Sequence, residues 1–200
     1  GKYLDPRMVK KLQDNPELCQ VNGKRVDCSI IFTDLRGFTS LSESVEPEMV
    51  TYIMNNVLDV QVKAANKYFG CTDKFIGDAI LAIFSGKKMA DQAISCAINI
   101  QKEMQKLNKK LDKEIIIGIG INTGPVVRGP IGSIDRMDFT VIGDNVNLAA
   151  RLCDAAQNGE IIISNDTKKY LTDNKFNLKK MEPYKAKGKE KLIEIFEVLI

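Results

Sequence analysis

The sequence predicts an α+β domain, a mixed and mainly antiparallel sheet with helices packed on one side of it. Three observations carry that expectation. The stretches 47–69 and 89–110 repeat apolar residues at helical spacing. Short apolar runs, two of them flanking the step Gly77-Asp78, read as strands. Strands and helices do not alternate strictly, which argues against a doubly wound sheet. At 200 residues the chain is one domain's worth, with no repeats and no low-complexity segment.

The elements follow in order. Asp5-Pro6 before Met8, Val9 and Leu12 predicts a short capped helix with proline at its first position. A polar stretch, 13–27, leads into a first strand at about 28–34, which ends on Asp34. Pro47 to Phe69 places Met49, Val50, Ile53, Val57, Val60 and Ala64 on one helical side, and Gly70 stops it. Residues 71–76 and 79–84 form a hairpin with Gly77-Asp78 at its tip. A second helix over 89–110 buries Ala93, Ile94, Ala97, Ile98 and Ile100. Ile115 to Asn122 reads as a buried strand, and Gly124 to Met137, with its glycines and prolines, as an extended arm. Phe139 to Ile142 is a short strand, after which Asp144 caps a helix to about Ala156. A strand at 160–163, a short helix and a terminal strand at 192–199 complete the chain.

Composition narrows the function. Hydrophobic and charged fractions of 44% and 28% suit a folded globular chain, and no apolar run is long enough for a membrane span. A formal charge of +3, evenly spread, gives no argument for nucleic acid as partner. Cys19, Cys28, Cys71, Cys96 and Cys153 are odd in number and widely spaced, the pattern of reduced thiols in a cytoplasmic setting. There is no histidine, which removes the usual general base and every Ser-His or Cys-His nucleophile.

Two aspartates then stand out. Asp34 ends an apolar strand just before the glycine turn Gly37-Phe38-Thr39-Ser40, and Asp78 occupies the hairpin tip. Carboxylates at a strand end and a neighbouring hairpin can converge on hard cations, and two bridged Mg²⁺ ions can activate a hydroxyl and neutralise a triphosphate. The glycine turn would expose backbone N–H groups to phosphate at a helix start, although no Walker A loop is present. A turn cap for Asp34 and a plain hairpin position for Asp78 are the structural alternatives. Asn147 and Arg151, four apart on a helix, share a face on which arginine can stabilise a phosphoryl group and asparagine can orient a ribose.

The residues that carry these groups resemble a known family. Phe32-Thr33-Asp34-Leu35-Arg36-Gly37-Phe38-Thr39, Lys74-Phe75-Ile76-Gly77-Asp78 and the run from Asp138 to Leu152 look like the three signature blocks of class III nucleotidyl cyclases, in the right order. The similarity covers about 28–199, with 1–27 left as an N-terminal coupling segment and 28–200 as the catalytic domain. It implies a ferredoxin-like palm that converts ATP to cyclic AMP and pyrophosphate. In that scheme Asp34, Asp78 and the Leu35 carbonyl hold two Mg²⁺ or Mn²⁺ ions. Asn147 positions the ribose, Arg151 stabilises the pentavalent α-phosphate, and Gly37, Phe38, Thr39 and Lys187 contact the triphosphate.

By the same resemblance Lys74 and Thr140 read the base. Lys74 can donate to adenine N1, and the Thr140 oxygen can accept from N6. Guanylate-forming relatives carry glutamate and a small polar or thiol residue there, so ATP is expected. Thr140 in place of the more common aspartate matches a threonine-bearing subgroup, some members of which respond to bicarbonate. The family also implies a head-to-tail homodimer, with the aspartates from one chain and the base-reading pair, Asn147 and Arg151 from the other. The stretch after Gly124 stands where the dimerisation arm lies, and Arg128 there replaces a usually small residue. The segment Tyr3 to Val9 resembles the coupling stretch that follows an upstream sensor or membrane module, so the domain is expected to be the cytoplasmic output of a membrane-anchored parent. A guanylate cyclase and a non-catalytic, nucleotide-binding or dimerising cyclase-like domain are the alternatives.

Overall fold

A computed structural model describes residues 10, 13–14, 23–111, 113–133, 135–173, 175–185 and 192–200. The expected helix near Asp5, most of the 1–27 segment and Lys187 lie outside the described residues.

Eight strands form one sheet: β1 (Lys24–Arg36), β2 (Cys71–Ile76), β3 (Ala79–Ser85), β4 (Ile116–Gly132), β5 (Met137–Ile142), β6 (Ile161–Ser164), β7 (Asn177–Lys180) and β8 (Ile195–Leu199). The helices are α1 (Phe38–Ser44), α2 (Pro47–Lys67), α3 (Met89–Leu111), α4 (Asp144–Ala155) and α5 (Asn165–Lys169). Strand order is β2-β3-β1-β4-β6-β8-β7, with β5 also paired to β4. Only the β4–β6 pairing is parallel; the others are antiparallel. The expected α+β class and mainly antiparallel sheet are what the chain forms.

Alternation along the central strands sorts two cores. Ile31, Ile80, Ala82, Phe84, Ile117, Ile119 and Ile121 face one side and pack under α2 and α3. Cys28, Ile30, Leu81 and Ile83 face the other, where Val126, Val141 and the α4 residues Val146 and Ala149 cover them. Helices therefore lie on both faces, a correction to the one-sided packing expected. The reason is small residues: a Cβ on Gly120 would run into Cys153 N and Ala149 O, so glycine lets α4 lie directly on β4.

Three further differences have local causes. β4 runs unbroken to Gly132, past Gly124, Pro125, Gly129 and Pro130, because β1 and then β5 pair with it along its length. Gly70 follows α2, but Phe69 takes the left-handed conformation (φ 64); Gly70 is small because a Cβ would meet the Phe84 ring. β7 was not expected from the sequence: it is a four-residue edge strand with one apolar residue, Leu178, amid polar and lysine residues.

Candidate functional site

Asp34 sits at the end of β1, on the α4 side of the sheet. The last β1–β3 pair is Thr33 with Ile80, so the Leu35 N–H is free of that ladder and donates to Asp78 Oδ2 at 3.3 Å. Gly77 at φ 62 makes the two-residue tip that swings Asp78 back over β1. The Asp78 carboxylate is thereby brought beside Asp34. Burial first, then the charge of Asp78, raise the Asp34 pKa, while Arg36 opposes them. Arg36 Nη1 meets Asp34 Oδ2 at 2.5 Å, and the same guanidinium donates to the carbonyls of Ala156 (Nε, 2.9 Å) and Cys153 at the end of α4. A cation thus already bridges Asp34 to the negative end of a helix.

The donor set suits a hard divalent ion. Two carboxylates converge, and among the described residues no cluster of three or more acidic, histidine or cysteine side chains forms. One or two carboxylates, completed by substrate phosphate and water, are how Mg²⁺ is ordinarily held. Beside them Gly37 adopts φ 72 and starts α1 with no side-chain cap, which leaves the N–H groups of Phe38 and Thr39 at an open helix start.

A second cluster forms on the hairpin's other half. The β2–β3 register slips between Thr72 and Lys74, so Asp73 is an extra, bulged residue. Lys74 then pairs with Leu81, on the face that carries β5. Thr140 Oγ1 donates to Asp73 Oδ2 at 2.6 Å, and Lys74 Nζ lies 3.7 Å from Asp73 and 3.6 Å from Asp138. Burial raises the Asp73 pKa; the Thr140 hydroxyl, Lys74 and Arg128 pull it down. Arg128 stacks over Phe139 at 5.8 Å and reaches Ser85 Oγ at 3.4 Å. Lys74 and Thr140 are therefore brought together, by a residue the sequence reading did not single out. Its signal was two consecutive charged residues in a strand, which strict alternation cannot place on one face.

Asn147, exposed, and Arg151, half-buried, stand on α4. The start of that helix is clamped: Asn122 Nδ2 donates to Asn145 O and Oδ1, Asn145 Nδ2 donates to Pro125 O, and Ser164 Oγ donates to Asn122 Oδ1 at 2.6 Å. Within one chain Asp34 with Asp78, and Lys74 with Thr140, form two distinct clusters on the β2–β3 hairpin. Asp78 turns from the hairpin to the end of β1, while Asp73 and Lys74, on β2 of the same hairpin, turn to Thr140 and Asp138 of β5.

The family model for the adenylate and guanylate cyclase catalytic domain matches residues 21–197. An adenylate cyclase of Anabaena cylindrica is 36% identical over 197 residues, which is 92% of this chain and 39% of that protein. The chain thus spans well under half of that relative's length. The crystal structure of the adenylyl cyclase CyaB from P. aeruginosa superposes with a TM-score of 0.86 at 36% identity, covering 90% of this chain and 97% of that one. The guanylyl cyclase Cya2 superposes with a TM-score of 0.79 at 33% identity, covering 89% and 94%.

Proposed function

The chain belongs to the adenylate and guanylate cyclase catalytic-domain family, and on that footing we propose that it is an adenylate cyclase acting as a homodimer with two shared sites. The observation that carries this reading is the pair of clusters built on the β2–β3 hairpin: Asp78 lies beside Asp34, while Lys74 and Thr140 share Asp73. A second copy, turned head to tail, would complete each half. Exposed Phe75, Ile76, Met137 and Ile142, on the two hairpins, give that copy an apolar surface to cover.

Asp34, Asp78 and the Leu35 carbonyl would hold two Mg²⁺ or Mn²⁺ ions. Such ions, when bound, lower the pKa of a hydroxyl and neutralise phosphate charge. The ribose 3′-oxygen attacks the α-phosphorus, the bond to the β-phosphate oxygen breaks, and pyrophosphate leaves. With no histidine in the chain, the hydroxyl proton goes to water or a substrate phosphate. Asn147 holds the ribose in line. Arg151 meets the charge that grows on the α-phosphate, and α1 with Gly37, Phe38 and Thr39 presents backbone N–H groups to the triphosphate. Lys187 extends the triphosphate contacts. Lys74 donates to adenine N1 and Thr140 accepts from N6; guanine would set its N1 donor against an ammonium without a lone pair.

The similarity to a guanylyl cyclase makes GTP the rival substrate. Replacing Lys74→Glu with Thr140→Cys should turn preference toward GTP, and a double variant that still prefers ATP would remove the base-reading assignment. The relative's additional length supports a sensor or membrane module upstream that sets the dimer geometry. Among the described residues no helix is long and apolar enough to cross a membrane.

Complementation tests the whole reading. Asp34→Ala and Arg151→Ala proteins, each inactive with ATP and Mn²⁺, should regain activity when mixed. Random exchange makes half the dimers mixed, each with one intact site of two, so about a quarter of wild-type activity is expected. A mixture that stays dead despite subunit exchange would refute the shared site. A wild-type protein inert toward both ATP and GTP would leave the non-catalytic alternative.

A further inference from the structure

We propose that Asp73 is a positioning residue that fixes the Thr140 hydroxyl as a hydrogen-bond acceptor and so sets the purine preference of the site. This role rests on the reading of Lys74 and Thr140 as the base-reading pair.

A threonine hydroxyl has one proton and two lone pairs, and free to rotate it would serve either purine. Adenine offers a donor at N6, whereas guanine offers an acceptor at O6. Here the proton is committed. Thr140 Oγ1 donates to Asp73 Oδ2 at 2.6 Å, in the short range of a charge-assisted bond. Thr140 is only 7% exposed, so little water is at hand to redirect it. What remains toward the base is lone pairs, which accept from N6 and oppose O6.

The bulge makes this possible. In a regular strand Asp73 and Lys74 would point to opposite faces; the one-residue slip after Thr72 turns both toward β5. Asp73 thus contacts both members of the pair, and with Asp138 it holds the Lys74 ammonium between two carboxylates. Arg128, for which the sequence offered no account, supplies positive charge that favours ionised Asp73. Phe139 and Ser85 hold that guanidinium in place.

The test is the ratio of kcat/KM for ATP to that for GTP, measured with Mn²⁺ on the dimeric protein for wild type, Asp73→Asn, Thr140→Val and the double variant. The carboxamide that Asp73→Asn introduces can donate to the Thr140 oxygen and turn its proton toward the base. Asp73→Asn is therefore expected to lower kcat/KM for ATP and raise it for GTP, a shift in the ratio of about ten- to a hundredfold. A residue that only supports the fold would depress both. In the Thr140→Val background the same substitution should leave the ratio within about twofold, because there is no hydroxyl left to orient. Thr140→Ser, which keeps the hydroxyl, should keep the wild-type ratio. If Thr140→Val shifts the ratio and Asp73→Asn does not, or if Asp73→Asn shifts it equally without the hydroxyl, the role of Asp73 is overturned and the base-reading pair stands. If Thr140→Val leaves the ratio unchanged, the pair itself is wrong. Should Asp73→Asn fail to fold by circular dichroism, Asp73→Ser, which can also donate to Thr140, carries the same expectations.

Discussion

Asp34 and Arg36 show how two residues of one motif serve different ends. Asp34 faces Asp78, while Arg36 reaches past it to the carbonyls that close α4. Both aspartates were legible as a pair because each stands beside a glycine at a strand end. Arg36 was not, since its partners are some 120 residues on and only topology brings them near. The same holds for Asp73 and Arg128, whose charges act on each other only because the sheet brings β2 and β4 near. Arg151 carries a direct expectation: Arg151→Ala should lower kcat about a hundred- to a thousandfold with a smaller change in KM, as loss of charge stabilisation at the reacting phosphate does. The buried thiols carry another. Burial pushes the pKa of Cys96 and of Cys153 up to about 12, so at pH 8 both are held as unreactive thiols. Peptide mapping after brief alkylation of native protein should find them unlabelled, with half-buried Cys71 modified ahead of them.

Among the elements, β4 and α4 hold the arrangement together. The helix lies against Gly118 and Gly120, is pinned at its start by Asn122 and Asn145, and is tied at its end by Arg36. Gly120→Ala should therefore force α4 off the sheet and destabilise the domain by about 1–3 kcal/mol, read as a lower Tm, and should cost activity because Asn147 and Arg151 ride on that helix. A Tm unchanged by that substitution would mean the helix is not seated as described. The long helices, the hairpin and the central strands were legible from period and glycine position. The full reach of β4 was not, because glycine and proline normally mark a loop, and here the pairing of β5 overrides them. β7 escaped for the opposite reason: a polar edge strand has no apolar period to betray it.

For the whole molecule, the shared site proposed above makes activity the property of a pair of chains. Specific activity should fall on dilution below the dimer's dissociation constant and recover on concentration, with sedimentation velocity following the same curve. Activity proportional to protein at every dilution, from a species that sediments as a monomer, would contradict it. The fold class, the three motif blocks and, β7 apart, the order of elements were in the sequence. The placement of helices on both faces was not, because an apolar period says that a helix is covered without saying by which side of the sheet.

On the role proposed for Asp73, the extra residue in β2 also makes purine preference a detachable property of the chain. A strand counts in twos, and the bulge is one residue that the partner strand does not count: Thr72 faces Ala82 and Lys74 faces the very next residue, Leu81. Excising Asp73 would therefore close the ladder into plain alternation, with Lys74 still opposite Leu81 and the tip at Asp78 still in step with β1. The carboxylate bonded to the Thr140 hydroxyl would go, while the ammonium and the pair of aspartates kept their places. A single codon, gained or lost, would then separate a chain that discriminates between purines from one that does not, with the phosphate chemistry untouched on either side.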